Sequence, residues 1–135
     1  MDRADVLATG PMMQRIEDGV LAHFTVHRLP APAEREAFLA AVGPRIRGVV
    51  AVGHARIDGA FMDRLPRLEI VANMGVGYDS IDAVEAGRRG ILVTNTPDVL
   101  TEEVADTALG LLLMTVRELG AAERWLRDGQ WVAKG

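Results

Sequence analysis

Residues 68–82 read Leu68-Glu-Ile-Val-Ala-Asn-Met-Gly-Val-Gly-Tyr-Asp-Ser-Ile-Asp82. The opening run, 68–72, carries β-branched Ile70 and Val71 among apolar neighbours, the composition of a buried strand. Gly75-Val76-Gly77 turns the chain, and Asp79 or Ser80 caps a helix that runs through residue 89 and stops at Gly90. Residues 91–94 (Ile-Leu-Val-Thr) are again strand-like, so the segment is strand, helix, strand. The same alternation extends upstream. Residues 4–8 form a short apolar run ended by Thr9-Gly10-Pro11, and residues 12–21 show helical spacing. Residues 24–29 alternate as a strand, Pro32 opens a helix over 33–42, and residues 48–52 form a second buried-type strand. Residues 57–65 read as a short helix stopped before Pro66. Downstream, Thr101-Glu102-Glu103-Val104 is close to a capping box. It opens a long helix that runs past Leu119-Gly120 towards residue 127, with Gly129 at its end.

Five strands alternate with helices, and several are apolar on both faces, which calls for a parallel sheet covered on both sides. Right-handed crossovers make this an α/β three-layer sandwich, with the flavodoxin-like strand order 2-1-3-4-5. The expected organisation is a core at 1–100 and a C-terminal helical segment at 101–135. Residues 128–135 are expected to stop without a closing element, as if cut from something longer.

Bulk properties narrow the function. The 135 residues suit one domain with a modest core, and a net charge of -4 gives no electrostatic reason to expect nucleic acid or an acidic membrane. With no cysteine there is no disulfide framework, thiolate metal site or thiol nucleophile, which fits a cytoplasmic location. The longest charge-free stretch, residues 107–116, is too short to span a bilayer. His23, His27 and His54 lack metal-motif spacing: Phe24-Thr25-Val26 favours a strand, in which His23 and His27 are not a ligand pair.

Two loops at strand ends carry the chemistry. The Gly75-Val76-Gly77 turn permits positive φ and outward-facing amides, a nest for a phosphate or carboxylate. A dinucleotide fingerprint would need a third small residue where Ser80 stands, and Asp79 would repel a pyrophosphate. A tight turn with no ligand is the plain alternative. In the second loop, residues 94–101, Asn95, Thr96 and Thr101 offer hydrogen bonds without titrating near neutral pH, which suits positioning, although Thr101 has a sufficient job as a cap. Glu102, Glu103 and Asp106 are explained by the helix dipole. His54, at a strand end, either borders a ligand site or lies on the surface.

The segment from about Gly48 to Trp131 resembles the D-isomer-specific 2-hydroxyacid dehydrogenases, in particular their glyoxylate/hydroxypyruvate reductase branch. The residues that carry the likeness are 65–71, 75–82, 90–101, Val104-Ala105-Asp106 and 124–131. The resemblance implies a substrate-binding domain of an NAD(P)-dependent oxidoreductase that reduces a 2-oxo acid to a D-2-hydroxy acid, with the NAD(P) domain missing here. It implies that Val76 and Gly77, with Gly75, hold the substrate carboxylate. Leu100 would line the pocket, His54 would lie at its edge and Thr101 would touch the nicotinamide side. It places the family's catalytic arginine, histidine and acid beyond this sequence, so no catalytic residue, no metal and no bound cofactor are expected in this chain, and no turnover. The parent enzyme would be a homodimer using NAD or NADP. The alternatives are an autonomous flavodoxin-like binding module or an excised folding unit without activity.

Overall fold

The computed structural model describes residues 3–134. The chain forms two compact units, one ending at Pro97 and the other beginning at Asp98. The first contains β1 (Asp5–Ala8), α1 (Gln14–His23), β2 (Thr25–Arg28), α2 (Arg35–Val42), β3 (Ile46–Ala51), α3 (Gly59–Met62), β4 (Ile70–Asn73), α4 (Ala83–Arg88) and β5 (Leu92–Thr94). Its five strands are all parallel, in the order β2-β1-β3-β4-β5. This is the order expected for a flavodoxin-like sheet.

Strand register places Leu7, Val49, Val71 and Val93 side by side on one face. The first three are fully buried against Leu39 of α2, Met62 of α3, Ala86 of α4, and Ile57, Leu65 and Ile81 from the connecting loops. On the other face Val6, Gly48, Ile70 and Leu92 are aligned, and cover thins towards β5. Val6 is buried, Ile70 is half-buried and Leu92 is 66% exposed. The second face is therefore closed less completely than two-sided apolar strands suggest, and α1 contributes no buried residue.

The starts of α3 and α4 are displaced from the sequence reading for one reason. Ile57 is not helical. It makes an isolated parallel bridge with Ile81: Ile57 N–H donates to Ser80 O at 2.8 Å and Asp82 N–H donates to Ile57 O at 2.9 Å. Both isoleucine side chains enter the core, and their burial outweighs the local helical preference. The helix expected over 57–65 shrinks to α3, capped by Asp58, whose carboxylate accepts Phe61 N–H at 3.0 Å. The bridge also holds Ser80 and Ile81 out of the next helix. The cap of α4 is therefore Asp82, not Asp79 or Ser80, and it accepts Glu85 N–H at 2.9 Å. Arg89 then joins the two helices, donating to Glu85 and to Asp63, each at 2.7 Å. Its hydrogen bond, with that of Arg88, holds the Glu85 carboxyl below its ordinary value.

The second unit holds α5 (Thr101–Val116), α6 (Leu119–Arg127) and α7 (Gln130–Lys134). Thr101 does not cap α5. Leu100 occupies the cap position with no side-chain hydrogen bond, and Thr101 is already helical. The long helix breaks where Glu118 takes a left-handed conformation, φ 51°. Gly129, φ 70°, turns the chain into α7, where an open tail was expected. Trp125 and Trp131 pack edge to face on each other with centroids 5.8 Å apart. No residue of α5 is buried.

Candidate functional site

Parallel strands present their carboxyl ends along one edge, and ligands of such sheets bind there. In the flavodoxin-like order the usual crevice lies between β1 and β3. Here it is stitched shut. The Thr9 hydroxyl accepts Val52 N–H at 2.8 Å and faces Val52 O at 3.2 Å. Gly10 packs against Val52, so that even a Cβ there would touch it at 3.4 Å. One strand over on the same edge lies the loop after β4.

That loop is built by two asparagines. Asn73 closes β4 on the core face and is 93% buried, at 7% exposure. Its side-chain amide donates to Gly75 O at 3.1 Å and to Gly77 O at 2.8 Å. Asn95, just past β5, donates to Val76 O at 2.8 Å, and Thr96 N–H donates to Gly75 O at 3.0 Å. Three consecutive carbonyls are thus held by the protein. Every peptide here is trans, so each carbonyl points opposite to the N–H of the following residue. Fixing the carbonyls of Gly75 and Val76 therefore aims the amides of Val76 and Gly77 away from their holders. Among the described residues these two amides donate to no protein acceptor.

The mechanism of this exposure differs from the sequence reading. Neither Gly75 nor Gly77 has positive φ, so the loop is not a nest made by left-handed glycines. The side-chain clamps do what backbone alternation was expected to do. The glycines leave space instead. A Cβ on Gly77 would come within 3.1 Å of Asp79 Oδ2, while one on Gly75 would meet Asn73 Nδ2 at an ordinary 3.5 Å.

His54 follows Gly53, which has φ 70°. It lines a pocket with Arg56, Asp58, Asp79, Ser80, Ile81 and Asp82, a pocket created where the Ile57–Ile81 bridge draws the two loops together. Gly75, Val76 and Gly77 are not part of that lining. Asp58 and Asp82 are committed to helix caps, and Asp58 also pairs with Arg56 at 2.9 Å. Leu100 and Thr101 belong to the second unit, where both are exposed at the start of α5. Asn73 was missed in the sequence because an asparagine before a glycine turn is ordinary turn chemistry. Among the described residues no cluster of histidine and carboxylate groups has metal-binding geometry, and no helix is long and apolar enough to cross a membrane.

A dinucleotide does not fit the described loop. A carboxylate already leans over Gly77, and the third small residue of a pyrophosphate turn is absent. What the loop offers is two directed amide donors, enough for a single carboxylate.

A family described as D-isomer specific 2-hydroxyacid dehydrogenase, catalytic domain, matches residues 6–128. A hydroxyphenylpyruvate reductase of Plectranthus scutellarioides is 39% identical over 132 residues, covering 97% of this chain and 42% of the relative. A glyoxylate reductase of Thermococcus gammatolerans is 48% identical over 120 residues, covering 87% of this chain and 36% of the relative. The crystal structure of an NADPH-dependent glyoxylate/hydroxypyruvate reductase from Sinorhizobium meliloti, in complex with NADP and malonate, superimposes with a TM-score of 0.78 at 45% identity. That match covers 99% of this chain and 41% of the other. The chain thus spans well under half the length of these relatives.

Proposed function

Since the chain belongs to the D-isomer specific 2-hydroxyacid dehydrogenase family, we propose that it supplies the substrate-holding domain of an NAD(P)-dependent glyoxylate/hydroxypyruvate reductase. The observation that carries this reading is the pair of unengaged amides at Val76 and Gly77, aimed outward by locked carbonyls. They hold the carboxylate of a small 2-oxo acid. Gly75 leaves the approach open and His54 lies at the same sheet edge; for Leu100 and Thr101, in the second unit, the family likeness implies contact with the substrate and with the nicotinamide side respectively. The hydride comes from NAD(P)H held by a further domain, and the proton donor lies outside these residues. In this chain the residues bind and orient; they do not turn over.

The whole enzyme works as a homodimer. Support comes from α5, where Leu109, Leu112 and Leu113 stand half or more exposed on a helix with no buried residue. A surface of that kind marks a site of association.

Glyoxylate titrated into the isotope-labelled chain tests the site. Shifts confined to the amides of residues 75–78 are expected, with NADPH producing none there and no NADPH consumption when both are present. NADPH shifts centred on that loop would overturn the reading.

A further inference from the structure

We propose that Asn73 is a positioning residue of the carboxylate site: its buried side-chain amide holds the carbonyls on either side of the Val76–Gly77 peptide, and with them the turn whose amides hold the substrate. The inference rests on the carboxylate reading of the same loop and goes beyond it by naming the group that makes the loop competent.

Among the described residues Asn73 is the one buried polar residue, at 7% exposure. Its Nδ2 spends both hydrogens on the loop, at 3.1 Å to Gly75 O and 2.8 Å to Gly77 O. These two carbonyls flank Val76. Through the planar trans peptides they fix the N–H of Val76 and of Tyr78. The peptide between them, Val76–Gly77, is held by Asn95. Gly75 O has a second donor in Thr96 N–H, but for Gly77 O Asn73 is the donor the structure provides. With neither glycine in the left-handed region, backbone conformation alone does not enforce the arrangement. An isosteric group that accepts instead of donates would face two carbonyl oxygens and turn those peptides.

Asn73→Asp makes that change with almost no change of shape. Burial raises the pKa of the introduced carboxyl above that of an exposed one. Protonated, it donates one hydrogen bond and partly restores the clamp; ionised, it repels both carbonyls. Glyoxylate itself stays ionised above about pH 4. The test is glyoxylate affinity, read from amide shifts at Val76 and Gly77, as a function of pH in the wild-type chain, Asn73→Asp and Asn95→Ala. At neutral pH Asn73→Asp should bind on the order of tenfold more weakly. Relative to the wild type at the same pH, affinity should recover as the pH falls towards about 5. Amides of Ile57 and Ile81 report whether the fold is intact. Should Asn73→Asp unfold at neutral pH, the comparison is made with Asn73→Ser, which keeps a donor and should bind more tightly than Asn73→Ala. Equal affinity in all variants, or a loss in Asn73→Asp with no recovery in acid, overturns the positioning role and leaves the carboxylate site standing. Absence of glyoxylate shifts in the wild type overturns the site itself and this inference with it.

Discussion

At Asp79 a carboxylate stands beside the amides proposed to hold another carboxylate. A like charge a few ångströms away weakens anion binding even in water. Asp79→Asn should therefore tighten glyoxylate binding by about two- to fivefold, and the gain should shrink in high salt. Calorimetry at two ionic strengths checks this; an unchanged or weaker affinity would show that Asp79 faces away from the bound acid. Individual residues were the least legible level of the sequence. Asp79, Ser80 and Thr101 all had the composition of helix caps, yet Asp82 and Leu100 hold those positions. A cap is chosen by where the preceding chain is fixed, and for α4 that was decided by a bridge to Ile57, far away in sequence. Val76 and Gly77 were singled out because a glycine pair after a strand marks a turn, although the positive φ expected of it is absent and side-chain clamps orient the loop instead. Asn73 was not, because its meaning depends on where two carbonyls end up.

Between elements, the Ile57–Ile81 bridge fastens the loop after β3 to the loop after β4. Ile57 is fully buried, and truncating such a side chain leaves a cavity. Ile57→Ala should cost about 2–5 kcal/mol in urea unfolding and should also broaden the amide signals of His54 and Asp79. A loss below about 1 kcal/mol would mean that the core closes over the gap. Charge links elements too. Glu69 is held below its ordinary value of 4.5 chiefly by its hydrogen bond to Arg47, and Glu85 by Arg89 and then Arg88. A carboxyl depressed in the folded state stabilises it above the unfolded value, and that contribution fades as the pH falls through the folded value. These two groups therefore predict stability that is level down to about pH 4.5 and declines below it. Arg47→Ala and Arg89→Ala should flatten the decline; the first pair is solvent-exposed and the second partly so, and the effect is small. Strands were legible to within a residue or two, since β-branched runs bounded by glycine and proline carry their own signal. The short α3 was not, because its first expected residue had a stronger claim on the core.

For the molecule as a whole, the parallel strand order followed from alternation alone, since right-handed crossovers leave few other arrangements. The break at Glu118 did not, as a left-handed glutamate has no local sequence signature. The second unit, with its exposed leucines, predicts concentration-dependent association: sedimentation at micromolar concentration should show a species of twice the chain mass. Leu112→Glu should return it to monomer with the first unit's melting unchanged. A monomer at all concentrations would remove the support that α5 gives to pairing. The uneven cover of the sheet has a separate consequence. Strands β1 and β3 are packed deep in the sheet, whereas β5 is three residues long, at the edge, with Leu92 facing water. Local opening draws on the least buried contacts first. Proton exchange should therefore run as a gradient across the sheet, fastest at residues 92–94 and slowest at Leu7 and Val49. Unfolding would begin as a peeling of the sheet from its β5 side, with the Asn95 clamp among the first tertiary bonds released.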